Sequence, residues 1–208
     1  MSYYKKLNIS TKFMKNETEL LQLIESSILK PPYIVVDHKN FLTDDLINII
    51  ESIAKIKHIV VFSDPMFITT SNPNMRIIHS DVEYVNDTMS WKDIYCGLNF
   101  ELNPSTNIFQ WYDTSNSLKL PPNIPQNEIM SKLSGCHYGE RMKHGIRDFK
   151  KLDETIVDNN TITLVRTDTP HLTIYDSVSR RCGISVRIDE SNISSWDQVL
   201  ELFKPLYN

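Results

Sequence analysis

From about residue 57 onward the sequence breaks into short apolar runs separated by turn residues. Ile59–Phe62, Met66–Thr70, Met75–Asp81, Ile94–Leu102, Ile108–Asp113, Thr161–Arg166, Leu172–Tyr175 and Cys182–Ile188 are each of strand length. Such runs with turn signals between them predict a sandwich or a barrel. Helical spacing is confined to the two ends of the chain. Glu17–Leu29 carries Leu20, Leu21, Leu23, Ile24, Ile28 and Leu29 on one stripe, and Lys30-Pro31-Pro32 stops it. Tyr33–Val36 is a β-branched run that reads as a strand. Thr43-Asp44-Asp45 then offers a cap and an acidic first turn to a second helix with Leu46, Ile47, Ile49, Ile50 and Ile53. Ser194 opens a terminal helix that runs to Lys204.

The expected organisation is one mainly β domain over 1–208. Helical support occupies 1–57, the β core 58–190 and a C-terminal helix 191–208. Within the core, Ser115–Ile156 is polar and carries Pro121, Pro122 and Pro125. It reads as a long loop or insertion with little regular structure beyond one short helix.

Glycine narrows the function classes. The chain of 208 residues has 5, at positions 97, 135, 139, 145 and 183. Neither G-x-G-x-x-G nor G-x-x-x-x-G-K-[ST] exists, so the backbone cradles of Rossmann, P-loop and kinase folds are missing. Lys+Arg is 22 and Asp+Glu 26, a net charge of −4. That balance gives no general attraction to phosphate backbones, so nucleic acid is not an expected partner. Cys96, Cys136 and Cys182 form no C-x-x-C and read as reduced thiols. Met1–Lys15 has no apolar signal-peptide stretch, and no run approaches the ~20 apolar residues of a membrane helix. A soluble, cytoplasmic protein with no membrane partner is expected.

The chemistry-bearing residues are histidines and a carboxylate. His79 and Asp81 form an H-x-D in a strand, and alternate strand residues project from one face. Their heads can reach one ion. An H-x-D alone is common by chance and needs a third ligand. His171, after Asp168-Thr169-Pro170 and at the start of a short strand, is the candidate. Two histidines and one carboxylate leave three positions of an octahedral ion open, the arrangement of non-haem Fe(II) oxygenases. The segment Arg180–Ile188 puts Cys182, Ile184, Val186 and Ile188 on one strand face and Arg181, Gly183, Ser185 and Arg187 on the other. Arg181 follows His171 by ten residues, room for a strand, a turn and a return. The two are expected side by side across an antiparallel pair, where a guanidinium suits a ligand carboxylate.

This order of motifs resembles the Fe(II)/2-oxoglutarate-dependent oxygenases, prolyl-hydroxylase-like members included. The matching runs are Tyr33–Asp37, Asn40–Leu46, Ile77–Asp81, Cys96–Phe100, Phe109–Asp113, Leu164–His171 and Arg181–Arg187. The resemblance implies a double-stranded β-helix, a cupin-like jelly roll, with flanking N-terminal helices. It implies His79, Asp81 and His171 as Fe(II) ligands and Arg181 as the partner of the distal carboxylate of 2-oxoglutarate, with Asn99 a further candidate for a cosubstrate hydrogen bond. Arg180 is adjacent, so a one-residue shift exchanges the two arginines. Position 183 is Gly where many members have Ser. The implied activity is O2-dependent hydroxylation of a C–H bond on an amino-acyl side chain of a peptide or on a small metabolite. Asp81 argues against halogenation. The alternative is a non-catalytic cupin-like metal-binding or structural β-sandwich protein. Nothing in the sequence fixes an oligomeric state.

Other residues keep two readings. Arg187 either lines the pocket or pairs with an acid such as Asp189. Trp111 and Tyr112 either wall the pocket or fill the core. Trp91 is part of a lid or of surface packing. Cys136, His137 and His144 match no common zinc spacing. Arg141, Lys143, His144, Arg147, Lys150 and Lys151 form a solvated face or steer an anion.

Overall fold

The computed structural model describes residues 2–26, 33–64, 78–85, 87–102, 107–115, 119–120, 133–138, 149–175 and 181–207. The side chains of 25, 63–64, 119–120, 133–138, 175 and 181 are outside that description. The N-terminal part comprises β1 (Tyr4–Lys6), α1 (Glu17–Ser26), β2 (Tyr33–Val36), α2 (His38–Phe41) and α3 (Asp44–Glu51). Then come β3 (Ile56–Asp64), β4 (His79–Val85), β5 (Ser90–Asp93), β6 (Cys96–Glu101) and β7 (Asn107–Asp113). They are followed by β8 (Lys119–Leu120), β9 (Leu133–Tyr138), β10 (Lys150–Val157), β11 (Thr163–Arg166), β12 (His171–Tyr175), β13 (Arg181–Ile188) and α4 (Trp196–Phe203).

The chain is mainly β, in two antiparallel sheets. One has the order β1-β11-β6-β13-β3-β2, the other β10-β7-β12-β4-β9-β8, with β5 also paired to β4. Period-2 alternation sorts the side chains of the first sheet. Ile59 and Val61 of β3, Leu98 and Phe100 of β6, and Ile184 and Val186 of β13 join one large apolar cluster with Leu20, Ile24, Leu46, Ile50, Trp196, Val199 and Phe203 of the helices. Each such fully buried side chain stabilises the fold by roughly 1.5–3 kcal/mol. The opposite face of these strands looks at the second sheet, where Val165 of β11 packs on Phe109, Trp111 and Val157.

The helices start where local chemistry provides for it. The Thr43 hydroxyl accepts from the Leu46 amide at 3.4 Å and caps α3, whose first turn holds Asp44 and Asp45. At α4 the cap is Ser195, one residue beyond the predicted Ser194, and the Gln198 side chain accepts from the Ser194 amide at 2.8 Å.

Two expectations need correction. The described residues of 115–156 are strand rather than loop, forming β8, β9 and most of β10, and the rest of the segment lies outside the described residues. β10 is an edge strand whose buried side chains are only Thr155 and Val157, so charges hide its alternation. The strand carrying the H-x-D begins at His79 and runs on to Val85. Of the predicted Met75–Asp81, residues 75–77 lie outside the described residues, as do 66–70 and the end of the first helix at 27–29.

Candidate metal centre

β4 alternates cleanly: Ser80, Val82 and Tyr84 are buried on one side, while His79 and Asp81 project from the other. His171 opens β12 and pairs in register with both His79 of β4 and Trp111 of β7. One ligand atom from each of His79, Asp81 and His171 lies within 4.8 Å of the others. The two imidazole Nε2 atoms are each 3.6 Å from the same oxygen, Oδ1 of Asp81.

Backbone bonds fix these positions. The Asp81 amide donates to the Thr167 carbonyl at 2.9 Å, and the Thr167 amide and hydroxyl donate to Tyr95 and Ile94 carbonyls. The Tyr112 amide donates to the Pro170 carbonyl at 2.9 Å. The turn entering β12 is thus tied to β4 and β7 before His171 begins. His171 Nδ1 lies 2.9 Å from the Thr169 carbonyl, an acceptor, so Nδ1 carries the proton and Nε2 keeps its lone pair. Phe109 stacks on the His171 ring at 4.6 Å with an interplanar angle of 23°.

The electrostatics favour the ligating protonation states. Burial pushes His171 down to about 4, against the attraction of Asp81, so the imidazole is neutral at neutral pH. Burial alone would raise the Asp81 carboxyl; the Arg187 guanidinium and the two imidazoles override it and hold the group below the usual carboxylate range. Arg187 is itself buried on β13. Its Nη2 donates to Asp81 Oδ2 at 2.6 Å and its Nη1 to the Cys96 carbonyl at 3.2 Å. Beside it, the Glu190 carboxylate accepts from the Tyr95 and Cys96 amides at 2.9 and 3.0 Å.

The donor set fits a small divalent cation: two imidazole nitrogens and one carboxylate oxygen.

His79, Asp81 and His171 therefore come together as the sequence led us to expect. Arg181 does not pair with His171. The two belong to different sheets, because β13 runs between β6 and β3, and Arg181 is in register with Asp64. The Arg181 side chain and all of Arg180 lie outside the described residues. Asn99 is buried on the inner face of β6 opposite Ser185, and its Oδ1 has no hydrogen-bond partner among the described residues. Trp111 is fully buried behind Phe109 and donates from Nε1 to the Arg166 carbonyl at 2.8 Å. Tyr112 faces the other side of β7, with Ile78 and Leu172. Trp91 packs edge-on against Tyr84 in the β4–β5 hairpin. Cys136 and His137 are in register with Ser80 and His79, but their side chains, His144 and most of the basic cluster are outside the described residues.

Sequence reasoning missed the Thr169 carbonyl, the Phe109 stack and the pairing of Arg187 with Asp81. The inward parity of Arg187 on its strand was the available signal for the last. Among known proteins, no family model, no curated protein and no solved structure matches this chain. No described helix is long and apolar enough to cross a membrane.

Proposed function

We propose that this protein is an Fe(II)- and 2-oxoglutarate-dependent dioxygenase that hydroxylates a C–H bond of an amino-acyl side chain or a small metabolite in the cytoplasm. The observation that carries the reading is the convergence of His79, Asp81 and His171 on one spot between the sheets, with the His171 tautomer already set. The sheet orders support it. β3, β6, β11 and β13 lie in one sheet and β4, β7, β10 and β12 in the other, so the chain passes repeatedly between them. That passage is what a double-stranded β-helix, or jelly roll, requires.

In this reading His79 and His171 would hold Fe(II) through imidazole nitrogens, and Asp81 through one carboxylate oxygen. Arg181 is the proposed partner of the distal carboxylate of 2-oxoglutarate, and Asn99 offers it a hydrogen bond. Fe(II) with 2-oxoglutarate, when bound, would supply the oxidising power, one atom of O2 going to succinate with loss of CO2 and the other to the hydroxyl of the product. The chain orients the reactants and keeps bulk water from the inter-sheet space.

The test is anaerobic reconstitution with Fe(II) and 2-oxoglutarate, followed by O2. A visible charge-transfer band and slow succinate release are expected from the wild type. His79→Ala loses both, and Arg181→Ala needs far more 2-oxoglutarate. A band without turnover points to an oxygenase waiting for its substrate. Absence of band and turnover overturns the proposal and leaves the cupin-like or structural alternative.

A further inference from the structure

The Asp81 carboxylate is divided between two neighbours. Oδ1 faces both imidazole nitrogens at 3.6 Å, whereas Oδ2 accepts from Arg187 Nη2 at 2.6 Å. We infer that Arg187 is a positioning residue that holds Asp81 as a one-oxygen ligand and so keeps the remaining coordination positions free. The inference rests on the metal reading of the triad.

The side chain is built for this task. Arg187 is 6% exposed, and its fork joins three strands from both sheets: its own β13, β4 through Asp81, and β6 through the Cys96 carbonyl. A planar fork fixes the rotation of a carboxylate, which a Lys point charge does not. The seat is close-packed. A Cβ added at Gly97 would stand 3.4 Å from Arg187 Nη1 and 2.6 Å from Ser185 Oγ. Glu190 holds the Tyr95 and Cys96 amides, and so the segment whose carbonyl receives Nη1.

The consequence concerns coordination number. Two imidazoles and one carboxylate oxygen leave three sites of an octahedral ion open. An Asp81 that chelated through both oxygens would leave two. A cosubstrate binding through two atoms would then fill the ion, with no site for O2. Arg187 bonds the second oxygen and prevents that.

The experiment is anaerobic titration of the metal-free protein with Co(II), read by its visible ligand-field bands. It compares wild type, His79→Ala, Arg187→Lys and Arg187→Met, at a temperature where thermal unfolding shows each to be folded. Wild type binds with weak six-coordinate bands, and His79→Ala does not bind. Arg187→Met loses roughly 10–100-fold in affinity, the usual effect of removing a group that orients a metal ligand. Its bands also change in position and intensity. Arg187→Lys, which keeps charge and most of the stem, falls between the two and covers the case in which Met is not tolerated. Affinity and bands unchanged in the folded Arg187 variants overturn this inference while leaving the metal site intact. No Co(II) binding by the wild type overturns both readings.

Discussion

His171 donates its Nδ1 proton to the carbonyl of Thr169, 2.9 Å away in the turn that leads into its strand. That bond presets the tautomer, so a cation meets an Nε2 lone pair without rearrangement. Binding to the native state alone raises the unfolding free energy by RT ln(1 + [L]/Kd), about 2.7 kcal/mol at a hundredfold excess over Kd. We expect Fe(II) or Co(II) to raise the melting temperature of the metal-free protein by several degrees and a chelator to reverse it. His79→Ala, Asp81→Ala and His171→Ala lose the shift. A wild-type melting curve insensitive to both additions contradicts the metal site.

Acid weakens the metal-free protein in a window set by His171 and His58. His171 is held down to about 4 by burial, and His58 to about 4 by burial and then by Arg187 and Lys57. In the unfolded chain an imidazole titrates near 6.5. The unfolded state therefore binds more protons between these values. The stability is present above pH ~6.5 and is lost as pH falls toward about 4. Buried His171 accounts for about 3 kcal/mol of that loss, and the partly exposed His58 for less. Asp81, shifted below the usual carboxylate range, contributes stability that disappears only at lower pH. Urea midpoints taken from pH 7 to 4.5 should fall steadily, with a shallower slope in His58→Gln. A flat profile contradicts the lowered titration of both rings.

What was legible in the sequence follows from how each element buries its side chains. β6 and β13 announce themselves because one face is apolar and packed under helices: Leu98 and Phe100, Ile184 and Val186. The H-x-D and His171 were readable because strand parity fixes which side chains share a face. β10 was hidden, since at a sheet edge Lys150, Lys151 and Glu154 remain exposed and only Thr155 and Val157 are buried. The neighbour of Arg181 was misassigned for another reason. Spacing along a chain says how far a strand can return, not which sheet it returns to, and β13 returns to the sheet opposite His171. The Asp81–Arg187 pair joins residues 106 apart in sequence, beyond the reach of any local pattern.

Gly97 is required by close approach. A Cβ there would lie 2.6 Å from Ser185 Oγ and 2.8 Å from Asn99 Oδ1, both on buried side chains of a packed sheet face. Gly97→Ala should destabilise by about 1–3 kcal/mol, the ordinary cost of overpacking. Ser185→Ala removes the nearer clash, so the double variant should recover about half of that loss, a non-additivity expected of residues in contact. Chemical denaturation of the four proteins in the cycle measures it. Strict additivity would show that the strand shifts as a whole instead.

Phe109 bears on the site through the ring it covers. It stacks on His171 at 4.6 Å and meets Trp111 at 4.9 Å, so it forms the wall that keeps the imidazole in its plane. Phe109→Leu retains most of the apolar volume but loses the flat face, and should cost about 1–2 kcal/mol in stability. The freed ring then samples orientations in which Nε2 no longer points at Asp81 Oδ1. Co(II) affinity should drop several-fold, with no matching change in Trp91→Phe, whose ring packs on Tyr84 in the β4–β5 hairpin. Isothermal titration of both variants beside the wild type separates the two sites. Equal affinities for Phe109→Leu and wild type would mean that the Thr169 carbonyl alone suffices to orient His171.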